Sequence, residues 1–423
     1  MNSRPSPFLA LQHRNFRLLW TGLLISLSGT MMQNAAILWH VTLLVPEDRK
    51  GLALGLVGLV RVAPIVIFSL VGGAVADALD RRKLLLLTQV ALTLIAALLA
   101  WITYHGLTVA WPVYVLAALS SAAGAFDAPA RQSLFPTLVP REHLPNAISL
   151  NAIMFQAASV LGPAFAGIVI ARLGVGWVYA LNAASFLAVI ASLLLMRNVP
   201  RRAESEKSEV SLRAIGEGLR FVFTAPLIRS SMLLDFFANF FASATFLLPI
   251  FAQDILRVGP EGYGWLAAAP ALGALVTSVA LVRLVDRIDR RGWALLWSVV
   301  VYGLATVAFG ISRVFWLTFV CLALTGAGDM VSTVLRNIIR QLTTPDHLRG
   351  RMISVTMAFF MGGPQLGELE AGLVAQGFGP AISVVSGGLG CLLATAWIAW
   401  QTPALRRYRR DEPVLATQGV AAD

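Results

Sequence analysis

The residues of this chain that could do chemistry are ionisable side chains set inside long apolar runs, and that chemistry is the handling of charge in a poorly solvating wall. Asp127 and Arg131 stand four residues apart and Asp329 and Arg336 seven apart, so each acid shares a helical face with a base. Two readings of these pairs stand side by side, local neutralisation or a pair that responds to protons. Asp235 has only Arg229 near it along its own run. It is the stronger proton-coupling candidate, because an acid in an apolar wall can take up and release a proton as its surroundings alternate; the alternative is an aspartate in water. Glu368 and Glu370 point to different helical faces, and Glu368 lies one turn past Pro364, where a missing backbone hydrogen bond can bend the helix and admit water. Proton or cation handling at Glu368 competes with a pairing to an arginine such as Arg61. Arg61, three residues before Pro64, either attracts an anionic substrate or snorkels to headgroups or pairs with that acid.

Around these charges, Gln33, Asn34, Gln156 and Asn239 are candidates to line a substrate path, with Arg131 and Arg336 as cavity cations. Trp39, Phe155, Phe236, Phe237 and Phe240 offer rings for a flat ligand, against the plainer reading of side chains facing lipid. His40 reads as a packed or interfacial residue. The five histidines are scattered, and Cys321 and Cys391 lie in apolar stretches as small hydrophobes. No metal-spaced cluster, nucleophile constellation or G-x-x-x-x-G-K-[ST] loop occurs, so the expectation is no cofactor, no metal and no enzyme.

The elements that must position these residues are legible in the composition. The chain has 423 residues, 57% hydrophobic and 13% charged, with a mean hydropathy of +0.74, against about 25% charged in soluble domains. Apolar runs long enough to cross a bilayer occur at about 18–44, 52–79, 84–104, 110–135, 147–172, 174–196, 228–256, 261–285, 292–311, 315–340, 350–376 and 379–401. The first is read as an uncleaved membrane helix. The net charge of +11 does not indicate nucleic acid, because lysines and arginines punctuate the runs instead of forming one basic domain. With the N-terminus inside, all of the 33 Lys and Arg residues except Arg49, Lys50, Arg61, Arg172, Arg257 and Arg313 fall on the cytoplasmic side. Both termini are therefore expected in the cytoplasm of a bacterial-type inner membrane.

The chain is expected to divide into an N-terminal half (1–200), a cytoplasmic linker with an amphipathic helix (201–227), a C-terminal half (228–402) and a tail (403–423) whose arginines sit against anionic headgroups. The halves repeat. Asp77, Asp80, Arg81 and Arg82 recur with identical spacing as Asp286, Asp289, Arg290 and Arg291, with Arg287 added in the second copy. Arg131, Pro140, Ile148 and Ser149 recur as Arg336, Pro345, Ile353 and Ser354, and Gly162-Pro163 as Gly363-Pro364. Parallel six-span repeats are a transporter architecture.

Gly73, Asp77, Arg81 and Arg82 resemble the loop signature G-x-x-x-D-R-x-G-R-R of the major facilitator superfamily, with Ala78 in place of the base and Asp80 in place of the glycine. Over residues 8 to 402 the chain is similar to that superfamily. Arg14 to Trp20, Ala128 to Gln132, Leu161 to Pro163 and Glu217 to Arg220 resemble the exporter branch that includes enterobactin (siderophore) and drug exporters. The resemblance implies an all-α integral membrane protein of 12 transmembrane helices in two pseudo-symmetric halves, working by alternating access, with spans 1, 4, 7 and 10 lining the cavity. It also implies a cytoplasmic gate at the two charged motifs, where the competing reading is a topological anchor. Gly162, Pro163 and Gly167, with Gly363 and Pro364, resemble antiporter-motif and packing positions between halves.

The expected function is secondary active, proton-coupled export of a small, partly apolar molecule by a monomer in the bilayer. Import or facilitated diffusion is the alternative, and a non-transporting membrane sensor or a membrane enzyme the distant ones.

Overall fold

The computed structural model describes residues 8–78, 80–197, 220, 222–241, 243–344 and 349–410. The expected linker lies outside the described residues except for residues 220 and 222–227, and the tail beyond Arg410 lies outside them too. Within the described residues the regular structure is helical, as a lipid-embedded backbone requires when each N–H and C=O must find its partner inside its own segment. Ten helices are long and apolar enough to span a membrane. Two more long helices coincide with the first and eleventh expected runs.

In chain order, the first six are α1 (Arg14–Leu44), α2 (Lys50–Ala78), α3 (Arg81–Tyr104), α4 (Trp111–Leu134), α5 (Leu144–Leu173) and α6 (Val175–Leu195). After them come α7 (Pro226–Phe241), α8 (Gly259–Leu284), α9 (Arg291–Ile311), α10 (Phe315–Thr343), α11 (Arg349–Phe378) and α12 (Pro380–Gln401). Their packing gives two compact units, Met1–Ser205 with Leu248–Ala268, and Glu206–Leu247 with Ala269–Asp423.

The same pairings recur in each unit. In the first, α1 packs on α5 and α6, and α3 on α4 and α6; in the second, α7 packs on α11 and α12, and α9 on α10 and α12. The turns repeat as well. Gly174 (φ +90°) stops α5 and starts α6, its N–H donating to Ile170 O at 3.1 Å, and Gly379 (φ +90°) does the same between α11 and α12, donating to Ala375 O at 2.9 Å. A positive φ suits glycine and lets one residue reverse the chain. The internal repeat seen in the sequence is thus a repeat of helix pairing and of turn chemistry.

Each unit has its own apolar core. Phe16, Leu19, Leu85, Leu134, Met154 and Leu193 cluster in the first, and Leu234, Leu295, Leu335, Cys391, Ile398 and Leu405 in the second. Large apolar side chains such as Leu94, Trp101, Leu194, Val279, Trp316 and Leu393 are exposed, as expected of surfaces that face lipid. Close helix contacts depend on small residues. In the second unit a Cβ at Gly326 of α10 would run into the Pro270 carbonyl of α8, and one at Gly273 of α8 would run into Ala323 of α10.

A valine at either position must push backbone apart. Gly326→Val is expected to cost about 1–3 kcal/mol, the usual range for overpacking. Thermal unfolding of the detergent-purified protein should show a midpoint several degrees lower; an unchanged midpoint would contradict the α8–α10 contact.

Candidate functional site

Among the described residues of the second unit, a polar cluster joins α7 and α10. Asp235, in the middle of α7, is 6% exposed, yet its carboxylate receives Arg336 Nη2 at 3.0 Å and Arg340 Nη2 at 3.2 Å. The two arginines stand one turn apart on α10, so their side chains reach one target from adjacent turns. Asn239, one turn along α7, donates to Asp235 Oδ1 at 2.9 Å. Ser231, one turn earlier, takes Arg340 through its hydroxyl at 3.1 Å and its carbonyl at 3.0 Å. Arg336 also reaches Asp329 at 3.5 Å, with Thr333 accepting from Arg336 at 2.9 Å between them. Two acids and two bases give a formally neutral group, and they differ in access. The Asp235 side chain is 8% exposed and that of Asp329 48%.

Asp235 is therefore not an acid alone in an apolar wall, as the sequence suggested, but one bound by two guanidinium groups from another helix. The second of these, Arg340, was missed. Its signal was present in the spacing Asp329, Arg336, Arg340, which places all three charges along one side of α10.

The first unit has a smaller counterpart. Asp127 of α4, 7% exposed, accepts from the Thr88 hydroxyl at 2.9 Å and the Gln89 amide at 2.8 Å, both on α3, and Arg131 lies 4.0 Å away. Its charge is met mainly by neutral donors from the neighbouring helix, which sequence spacing could not reveal.

At the end of the first unit away from the N-terminus, Lys50, 6% exposed, pairs with Asp254 at 2.9 and 3.0 Å. Gln253 donates to Thr42 at 2.7 Å and Tyr263 to the Ala35 carbonyl at 2.9 Å. Gln253 and Asp254 sit on a π-helical turn, Phe251–Ile255, followed by Arg257 at φ 53°. Such turns and left-handed non-glycine residues are uncommon and persist where surrounding contacts hold them. Deeper in this unit, Asn182 donates to Gln33 at 2.8 Å, and the Tyr179 hydroxyl lies 3.1 Å from His40 Nδ1, which makes His40 a packed residue.

The two charged motifs share a spacing but not a structure. In the first copy Asp80 caps α3, accepting from the backbone of Arg82 at 2.9 Å and Lys83 at 3.3 Å, while Arg81 donates to Ser133 O at 2.7 Å and Arg82 to Leu194 O at 3.4 Å. Gly73 and Asp77 lie on the last turns of α2, and the surroundings of Gly73 and the side chain of Asp77 are outside what the structure describes. In the second copy Asp286 and Arg287 form a 3-10 turn, Arg290 precedes α9 without a side-chain cap, and Arg291 is buried. There the carbonyls of Asp286 and Asp289 accept from Arg410 instead.

A family model described as transmembrane secretion effector matches residues 5–413. The chain belongs to this family of major facilitator proteins. It is 26% identical over 410 residues to the enterobactin exporter EntS of Escherichia coli O6:K15:H31, covering 96% of each chain, and 26% identical over 404 residues to that of Shigella boydii serotype 18, covering 95% of each. Its fold is that of a bacterial homologue of the iron transporter ferroportin in the inward-facing state, with a TM-score of 0.69 and 18% identity over 92% of this chain and 98% of that one. It is also that of a POT family transporter in complex with 5-aminolevulinic acid, with a TM-score of 0.71 and 12% identity over 93% of this chain and 96% of that one. The protein is a multi-pass membrane transporter.

The remaining residues singled out in this transporter's sequence disperse. Asn34, Gln156, Arg61, Glu368 and Glu370 are half-buried. Phe236 stacks on Phe240 at 5.7 Å and meets Phe237 edge-on at 5.6 Å, while Phe155 is exposed. The packing glycines differ from expectation. The nearest neighbours of Gly162 are Met31 and Ser28 of α1, and those of Gly363 are atoms of Phe236 on α7, each within its own unit rather than between the halves. Small residues there let neighbouring helices close up. Gly167 instead abuts Pro260 and Gly264 at the start of α8, in the segment that packs with the first unit. Pro163 and Pro364 lie inside α5 and α11.

Removing Asp235 alone leaves the buried Arg340 without a counter-charge and Arg336 with the half-exposed Asp329 only, a loss of about 3–5 kcal/mol. Asp235→Ala should therefore lose folded yield and melt well below the parent, and Asp329→Ala, at the half-exposed acid, much less so. Equal melting points for the two variants would contradict the assignment of Asp235 as the anchor.

Proposed function

We propose that this transporter is a proton-coupled exporter of a small, partly apolar molecule of siderophore or drug-like character, working by alternating access as a monomer in the inner membrane with both termini in the cytoplasm. The observation that carries the proposal is the neutral quartet in which Arg336 is shared between a buried acid, Asp235, and a half-exposed one, Asp329. A charge in hydrocarbon costs on the order of 2.5–3.5 kcal/mol even on insertion scales, so a transporter retains such a group for function or pairs it fully. Asp329 is the member that meets both needs. When it is ionised, Arg336 is held between two carboxylates; when it takes a proton, Arg336 belongs to Asp235 alone. One proton thus removes the partner that Arg336 has on its own helix, α10, and leaves its bond to Asp235 on α7, without leaving any buried carboxylate bare.

This reading moves the proton-binding role from Asp235 to Asp329 and leaves Asp235 as the fixed counter-charge. Asp127, held by Thr88 and Gln89, serves in the same way as an anchor in the first unit. Glu368, half-buried on α11, is a second candidate for proton binding. The exporter assignment rests on the family and on relatives named as enterobactin exporters, and the polar residues Gln33, Asn34, Gln156 and Asn239 with the Phe236 cluster are the proposed contacts for the cargo. The charged motifs act as the cytoplasmic gate, and the chain divides for this purpose into the halves 1–200 and 228–402 joined by the linker.

Proteoliposomes given a pH gradient test this. The parent should concentrate a catecholate siderophore or a lipophilic cationic dye, a protonophore should abolish the gain, and Asp329→Asn should bind cargo while losing most gradient-driven accumulation. Accumulation by Asp329→Asn at the parent's rate would overturn the coupling role, and flux indifferent to the protonophore would favour facilitated diffusion. For the gate, Asp77→Asn at equal expression should turn over several-fold more slowly than the parent with cargo affinity retained; a parental rate would refute it.

A further inference from the structure

The described end of the C-terminal segment is folded back onto the second charged motif. After α12, Pro403–Arg407 form a short helix that packs on α9, α12 and α7. Leu405 and Tyr408 are buried in the core of the second unit. The Gly292 N–H donates to Tyr408 O at 3.2 Å, and the Leu405 carbonyl lies where a Cβ of residue 292 would stand, so only glycine lets the segment seat here. Arg410 closes the arrangement. Its N–H donates to Asp289 O at 2.9 Å and its guanidinium to the Asp286 carbonyl.

This docking collects charge of one sign. Arg287, Arg290, Arg407, Arg409 and Arg410 are exposed, Arg406 is half-buried, and the acids of the motif are Asp286 and Asp289. Arg291 is 7% exposed, and its Nε is buried with no hydrogen-bond partner among the described residues. A buried guanidinium donor left open is costly and calls for an acceptor. The docked segment and the loop it covers carry more arginines than acids, and like charges gathered on one face favour an anion beside them. The surroundings say what kind of anion. Trp293, at the first turn of α9, is 43% exposed, and Trp400, at the last turn of α12, is 72% exposed. Exposed tryptophans at helix ends mark the level of the headgroups. The acceptor that is present there, and that offers several oxygens to arginine forks, is a lipid phosphate.

We propose that the docked segment Thr402–Arg410 and the start of α9 form a binding site for an anionic phospholipid headgroup, with Arg291 as its innermost donor and Arg406, Arg407, Arg409 and Arg410 as its rim. The bound lipid neutralises the arginines that the fold brings together and so holds the segment against the loop between α8 and α9. Phosphate is the shared chemistry of lipid and free anion, and the tryptophan border assigns it to lipid.

Native mass spectrometry of the full-length, detergent-purified protein with added phosphatidylglycerol or phosphatidylcholine tests this. Phosphatidylglycerol should be retained in preference to phosphatidylcholine, and retention should fall by about fivefold for each arginine neutralised. Arg291→Gln and a tail variant carrying Gln at 406, 407, 409 and 410 read that loss, while Arg291→Lys, which keeps the charge, should retain most binding and shows that the fold has survived. Equal retention of the two lipids, or undiminished phosphatidylglycerol binding by both glutamine variants, would overturn the proposal. So would displacement of the lipid by millimolar inorganic phosphate, which would make this a site for a soluble anion.

Discussion

A charge placed in an apolar wall has to be met where it stands, and most of the arrangement around the middle of this protein follows from that requirement. Asp235 is buried, so Arg336 and Arg340 come to it from adjacent turns of α10, and Arg340 in turn needs Ser231 one turn back on α7. Two helices are fixed in register and rotation by a single carboxylate. Asp127 makes the same demand of α3, which answers with Thr88 and Gln89. The apolar cores then pack behind these polar seams, and where helices come closest, as at Gly326 against Pro270, glycine removes the side chain that would hold them apart.

Neutralisation also separates fixed from variable charge. Asp235 is held by two guanidinium groups and an amide donor, whereas Asp329 shares one of those guanidinium groups and has half of its side chain accessible. The quartet joins both acids on one arginine, so in the proposed mechanism a proton at Asp329 removes a contact within α10 while the bond of Arg336 to Asp235 on α7 stays.

Much of the architecture was legible in the sequence because the bilayer imposes it. Apolar runs fixed the helices, and the repeated Asp and Arg motifs and Gly-Pro pairs showed that one plan occurs twice, which the matching helix pairings and the turns at Gly174 and Gly379 reproduce. Site detail was less legible, for a physical reason. Spacing reports neighbours along one helix, so Asp127 with Arg131 and Asp329 with Arg336 could be read. The partners that matter most to Asp235 come from another helix, and those of Lys50 and Gln253, Asp254 and Thr42, from helical segments distant in sequence. The two charged motifs make the same point, since equal spacing yields a helix cap at Asp80 and a seat for the C-terminal segment at Asp286 and Asp289. Gly162 and Gly363 read as contacts between halves because small residues mark close approach without saying to which helix.

Proton-coupled export requires protons to move as the cargo moves, and that can be measured without any variant. Proteoliposomes loaded with a pH-sensitive dye, with no imposed gradient, should report a change of internal pH when a cargo gradient is applied, in the direction opposite to cargo flow. A cargo flux of the same size with no change in internal pH would contradict the account.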